Sequence, residues 1–195
     1  MVLQMGAYKY IKESFQNEYK NRDSIMKERV SSWRKGASLQ RVATPTNIAR
    51  ARELGYKAKQ GIVVVRSCVR KGMRKREKPS GGRKPSKNGR FFSYKKSLQS
   101  MAEERVSRKF LNMEVLNSYY VGEDGRYKFF EVILVDRANP AVLSDMSYKN
   151  LVSSKGRAFR GLTSSGIKHR GMLHKGKTTI ISRPSVRSAQ RGIKI

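Results

Sequence analysis

The chain has 195 residues, 44 of them Lys or Arg against 14 Asp or Glu, for a formal charge of +30. A charge this large repels itself in the free protein and implies a polyanionic partner. No apolar run exceeds four residues, far short of the roughly 18 that cross a bilayer, which excludes a transmembrane helix. The first residues lack the basic and apolar stretches of a secretory signal. Cys68 has no second cysteine to pair with, and His169 and His174 are the only histidines, too few for a Cys/His metal cluster. A reducing compartment is the simpler reading, and no membrane, metal, cofactor or small-molecule substrate is expected.

Tyr8, Ile11, Phe15 and Tyr19 recur at helical spacing, and Met26, Val30 and Trp33 continue it beyond Asn21 and Asp23. Two amphipathic helices are predicted, over 7–20 and 24–35, with Asn21 and Asp23 as cap residues and Gly36 as the stop. A short strand at 38–42 is followed by a short helix near Pro45 that carries Arg50 and Arg52 and ends at Gly55. Residues 62–71 are β-branched between Gly61 and Gly72 and read as a strand. Val63, Val65, Ser67 and Val69 share one face, expected to pack; Arg66 and Arg70 share the other with Ile62, Val64 and Cys68 and are expected to present guanidinium groups to a partner.

Ser97 precedes a helical pattern of Leu98, Met101, Ala102, Val106 and Phe110. Glu103 and Glu104 are adjacent on it, so they do not face each other and are read as helix surface rather than an acid–base pair. Residues 113–121 and 127–136 are rich in Val, Leu, Ile, Phe and Tyr around a polar 122–126 segment, which is a hairpin signature. Asn139-Pro140 is placed to start a short helix. The order of elements describes an α+β fold, a small antiparallel sheet backed by helices. The chain divides into an N-terminal helical segment (1–36), a core (37–145) containing a basic loop (72–96), and a basic C-terminal extension (146–195).

Charge is distributed unevenly along this frame. Residues 1–53 carry a net +6, residues 54–102 +14, residues 103–145 −2, and residues 146–195 +12 with no acid at all. The tract from Arg70 to Lys96 holds Lys71, Arg74, Lys75, Arg76, Arg83, Lys84, Arg90, Lys95 and Lys96 among Gly and Pro residues that break regular structure. Segment 153–195 is likewise punctuated by glycine and has little apolar surface to offset its ordering entropy. Both tracts are expected to be extended when bound and mobile when free. Lys and Arg neutralise phosphates, and glycine lets backbone N–H groups approach them. Phe91, Phe92 and Tyr94 beside these cations either stack on bases or anchor the loop to the core.

No Gly-rich phosphate loop, dinucleotide fingerprint or Ser-His-Asp arrangement is present, so a non-enzymatic role is expected. No dimeric recognition helix rich in Arg, Asn and Gln stands out, and irregular basic loops suit the crevices of folded RNA. Structured RNA is favoured; an architectural duplex-DNA protein is the alternative.

Longer runs carry a resemblance. Gly6-Ala7-Tyr8-Lys9-Tyr10-Ile11, Leu54 through Gly61, Ser97-Leu98-Gln99-Ser100, Ala102-Glu103-Glu104-Arg105, Leu116-Asn117-Ser118-Tyr119, Glu131 through Leu134, and Arg160-Gly161-Leu162-Thr163-Ser164 are the matching segments. On these the chain resembles the L15e family of archaeal and eukaryotic large-subunit ribosomal proteins. The resemblance implies a four-stranded antiparallel core with packed helices and basic extensions threaded into ribosomal RNA. It implies a cytoplasmic place in the ribosome, with rRNA and neighbouring ribosomal proteins as partners. By position it makes Tyr56, Lys57, Lys59 and Gln60 RNA-facing, together with the loop from Arg70 to Arg90. In the extension it points to Arg157, Arg160, Lys168, His169, Arg170, Lys175 and Lys177, and Arg183 and Arg187 lie in a compact tail of archaeal character. Arg137 stands where the family often has Pro, and residues 144–155 are shorter and lack the expected Trp, which leaves the path from the last strand to the tail open.

Overall fold

The computed structural model describes residues 6–75, 81–82, 91–92, 96–170 and 172. Two helices, α1 (Ala7–Asn21) and α2 (Ser24–Lys35), precede strand β1 (Leu39–Val42) and helix α3 (Ile48–Glu53). Strand β2 (Ile62–Arg70) leads to a short ribbon, β3 (Arg74–Lys75) paired with β4 (Phe91–Phe92). Helix α4 (Leu98–Lys109) and the hairpin β5 (Met113–Glu123) and β6 (Tyr127–Asp136) follow, then α5 (Pro140–Leu143), a 3-10 turn (Met146–Tyr148), α6 (Lys149–Val152) and α7 (Ser164–His169).

The main sheet is antiparallel in the order β1-β2-β6-β5, in agreement with the expected four-stranded α+β core. β6 is central, with Ile62 opposite Val135 and Arg70 opposite Tyr127 across β2. Both faces of the sheet are covered. Met26 and Trp33 of α2 and Ala51 of α3 pack with Tyr119, Val121, Phe129 and Ile133 on one side. On the other, Val106 of α4 and Ala158 join Val63, Val65, Val115, Val132 and Leu134. This corrects the expectation that the second face of β2 is turned to a partner. Apolar residues at consecutive β6 positions mark a strand buried on both sides, because successive side chains point to opposite faces.

Local signals explain most boundaries. Asn47 accepts the Arg50 N–H at 2.9 Å, Ser97 accepts from Ser100 at 3.1 Å, and Asn139 accepts from Ala141 at 3.0 Å, each satisfying a helix-end donor. Asp23 occupies the α2 cap position without a side-chain cap bond, and Asn21 is the last residue of α1 rather than a cap. Gly61 (φ +83°) needs its missing side chain: a Cβ there would stand 2.7 Å from Val142 Cγ2 and 2.9 Å from Asn139.

Two further expectations are corrected. Regular structure was expected to be absent from the basic loop, yet β3 and β4 pair at its base, Arg74 opposite Phe92 and Lys75 opposite Phe91. Residues 153–170, expected to be extended, fold onto the core, with Ala158 and Thr163 buried. Their glycines and charges concealed a different source of stability, namely acceptors supplied by the core.

The path left open by the family resemblance is also defined. Arg137, at the place where the family often has Pro, donates through Nε to the Val152 carbonyl at 3.0 Å and so closes the end of α6 back onto the last strand.

Candidate nucleic-acid interface

Carboxylates decide where this protein's positive charge points. Glu103, on α4, is fully buried, and it accepts from the hydroxyls of Ser118, Thr163 (2.5 Å) and Ser165 (2.8 Å). Glu114 on β5 receives the backbone N–H groups of Gly156 at 2.7 Å and Arg157 at 3.0 Å. Glu131 on β6 receives the Tyr119 hydroxyl at 2.5 Å and both the N–H and hydroxyl of Thr46 at 3.0 and 2.5 Å. Buried carboxylates require such donors. Burial together with the neighbouring Glu131 charge holds the Tyr119 phenol far above its ordinary range. The reading of Glu103 and Glu104 as helix surface is therefore corrected: both are buried, Glu103 on hydroxyls and Glu104 beneath Lys96 at 2.6 Å.

With these acids turned inward, the outer surface carries a larger share of cations than composition indicates. The candidate cations then divide by what they touch. Arg70 and Lys168 are exposed. Arg160 is exposed and donates to the Lys155 carbonyl at 2.6 Å. Tyr56 is half-buried against the α2–α3 face of the sheet, and Gln60 is exposed. Lys57 and Lys59 meet at Asp145, with Nζ to Oδ2 distances of 2.7 and 2.6 Å. Their hydrogen bonds hold the Asp145 carboxyl well below the usual range. Lys57 also lies 5.3 Å from the Tyr148 ring centroid, and burial followed by the Asp145 charge pushes the Tyr148 phenol up to about 12.

Other candidates make contacts within the chain. Arg66 stacks over Trp33, 4.6 Å from the ring centroid, and donates to Gln40 at 3.0 Å. Burial lowers its pKa, opposed by the Glu131 charge, so Arg66 is a packing residue facing α2 and not a free guanidinium. Lys71 pairs with Glu123 at 3.0 Å, and hydrogen bonds from Lys71 and Lys128 hold Glu123 below its ordinary value. Arg157 donates to Val115 O at 2.8 Å, and Arg170 donates to Arg160 O and Gly161 O at 3.0 and 3.1 Å. His169 Nδ1 lies 3.2 Å from Ser165 O. Arg74 and Lys75 lie in β3. Arg76, Arg83, Lys84, Arg90, Tyr94, Lys95, His174, Lys175, Lys177, Arg183 and Arg187 lie outside the described residues.

One group of cations went unanticipated. Lys27 and Arg34 on α2, one helical face at i and i+7, stand with Arg22 around a cleft between the α1–α2 pair and the β5–β6 turn. The spacing of 27, 31 and 34 would have revealed that face. Cys68, half-buried in β2, has its thiol pushed up mainly by burial, the opposite of an activated nucleophile.

The family model for "Ribosomal L15" matches residues 6–189. The chain belongs to the ribosomal L15e family. Among curated relatives, the "Large ribosomal subunit protein eL15" of the archaeon Picrophilus torridus is 50% identical over 192 residues, covering 96% of this chain and 98% of that protein. The match covers the core and the extension alike, so the fold described above and the family assignment concern the same residues. As an L15e-family member the chain is a structural ribosomal constituent.

Proposed function

We propose that this protein binds and stabilises folded large-subunit rRNA through the basic 72–96 loop and the C-terminal extension, while the four-stranded core fixes the position of both. It works in the cytoplasm as part of the large ribosomal subunit, beside other ribosomal proteins, and catalyses no reaction. The observation that carries this reading is the inward burial of Glu103, Glu114 and Glu131 in a chain of net charge +30: carboxylates that would repel phosphate hold the interior together instead. Family membership supports it, since the curated relative is described as a large-subunit protein.

The mechanism is electrostatic. Cations released from mutual repulsion displace counterions from packed phosphates and let RNA helices approach one another. Glycine in both tracts allows the backbone to come close to the sugar–phosphate chain. Filter binding of the full chain to large-subunit rRNA and to duplex DNA at matched salt tests the proposal. We expect a preference for rRNA, with affinity falling about 10³–10⁵-fold between roughly 50 and 200 mM salt if on the order of ten phosphates are contacted. Equal or tighter binding to the duplex overturns it in favour of an architectural DNA protein.

A further inference from the structure

The cleft between the α1–α2 pair and the β5–β6 turn has the makings of a nucleotide site. Its volume is about 280 Å³, just under the roughly 300–1,000 Å³ typical of ligand pockets. That space suits one planar heterocycle and is too small for a helix or strand. Met26, whose Cε packs against Gly122 so closely that a Cβ there would stand 2.7 Å away, contributes to the floor. Tyr19 forms one wall, with its ring held edge-on to Tyr120 at 5.7 Å and its hydroxyl 2.6 Å from that of Tyr120. Arg22, Lys27 and Arg34 line the cleft, and among the described residues none of the three has a carboxylate oxygen recorded within salt-bridge distance.

The opposite wall is acidic. Asp124 Oδ1 accepts from the N–H groups of Arg126 and Tyr127 at 2.7 and 2.6 Å, which fixes the turn. Asp124 Oδ2 is closed off just behind this wall in the free protein and has no donor among the described residues, so a base that pairs with it must displace the turn at Gly125 slightly. A pocket with a fixed aromatic wall, a thioether floor, several cations and an unsatisfied carboxylate oxygen asks for a ligand that is planar, anionic at one end and rich in N–H donors at the other. A phosphate alone would satisfy the cations and leave the carboxylate unmet; an apolar side chain would do neither.

We propose that this cleft receives a single unstacked nucleotide of the rRNA, its base against Tyr19 and Met26, its amino edge toward Asp124 and its phosphate among Arg22, Lys27 and Arg34. Guanine, with adjacent imino and amino donors, fits the carboxylate best, whereas uracil offers one N–H between two carbonyl oxygens. Stacking on aromatic rings and recognition of splayed bases are the usual means by which proteins read single-stranded RNA. The proposal rests on the RNA-binding reading and adds a base-selective site away from the loop and tail.

The test combines two measurements on the full chain. Nuclear magnetic resonance with methionine-methyl and tyrosine-ring labels follows titration with guanylate, uridylate and inorganic phosphate. Filter binding compares large-subunit rRNA affinity for wild type, Ser31→Glu and Lys20→Glu. Ser31 also lines the cleft, and a glutamate there pairs with Lys27 and Arg34 at helical spacing, occupying the anion site without opposing the helix. We expect guanylate to shift Met26 and Tyr19 saturably, roughly fivefold or more tightly than uridylate, and phosphate to leave both unmoved. Ser31→Glu should abolish those shifts and lower rRNA affinity further than Lys20→Glu, although the latter removes more positive charge. Silence at Met26 and Tyr19, equal shifts from phosphate alone, or a Ser31→Glu loss no greater than that of Lys20→Glu overturns the site. If wild type binds rRNA while guanylate leaves the cleft untouched, only this inference fails; if wild type does not bind rRNA, the underlying reading fails first.

Discussion

Replacing Glu103 by Ala tests whether the first part of the extension is truly part of the core. The carboxylate is fully buried and accepts hydroxyls from β5 (Ser118), from the residue before α7 (Thr163) and from α7 itself (Ser165). Hydrogen bonds to a charged acceptor contribute about 1.5–3 kcal/mol each, so three of them offer roughly 5–9 kcal/mol. Against this stands the several kcal/mol that it costs to desolvate a carboxylate. Gln99 Nε2 donates to Ser118 Oγ at 2.9 Å and the Gly166 N–H to Thr163 Oγ1 at 3.2 Å, but neither can accept, so all three hydroxyl protons are left bare, at about 1–3 kcal/mol apiece before the relief of carboxylate desolvation. The net expectation is a loss of about 3 kcal/mol, or roughly 6–12 °C in melting temperature for a protein of this size. Glu103→Gln keeps the shape and one acceptor and should lose about half as much. Urea unfolding followed by Trp33 fluorescence gives the free energy, and amide exchange reports on residues 163–169. A loss below about 1 kcal/mol, or a larger one with unchanged exchange protection at 163–169, would refute the idea that this carboxylate docks the extension.

Chain endings separate fold from binding. A chain ending at residue 170 should keep its melting temperature but bind rRNA with a shallower salt dependence; six Lys and Arg lie beyond that point, worth a log–log slope of up to about 5. A chain ending at 155 should melt far lower, since it loses the Gly156 and Arg157 N–H groups from Glu114 and the buried Ala158; equal stability of the two would contradict the packing described here. Arg66→Ala should cost about 1–2 kcal/mol through lost stacking on Trp33 and leave rRNA affinity within about twofold after correction for unfolded protein, measured by filter binding. Asp145 is held low by Lys57 and Lys59, so its contribution is present above the unfolded carboxylate pKa near 3.9 and fades as pH falls through the folded value. The melting-temperature gap between wild type and Asp145→Asn should accordingly be open at pH 7 and narrow below about pH 4; a gap that widens on acidification would reverse the assignment.

Much of the frame was legible because its signals are local. The β5–β6 hairpin, β2 and the helices at 7–21, 24–35 and 98–109 follow from periodicity, caps and turn residues within a few positions. What escaped was non-local. A strand arginine alternating with valine reads as outward-facing, and only the return of Trp33 across the sheet turns Arg66 into a stacked core-edge residue. Glu103 reads as helix surface because burial of a carboxylate depends on donors far away in sequence, 60 residues away for Thr163, and the burial of Glu131 rests in the same way on Thr46, 85 residues away. For the same reason the charge excess of the interface was visible in the sequence, but not which cations it frees: Lys57 and Arg157 are engaged within the protein, whereas Arg70 and Lys168 are exposed.

The inward carboxylates have a thermodynamic corollary. In the unfolded chain Glu103, Glu114 and Glu131 are exposed to solvent and free to repel a polyanion; in the native state they are withdrawn. Native and denatured forms therefore differ in affinity for the same nucleic acid, and a ligand that prefers the native form raises its stability by mass action. Ribosomal RNA would then act on this protein as a folding ligand, selecting chains whose acids are already sheathed and leaving unfinished ones less firmly held.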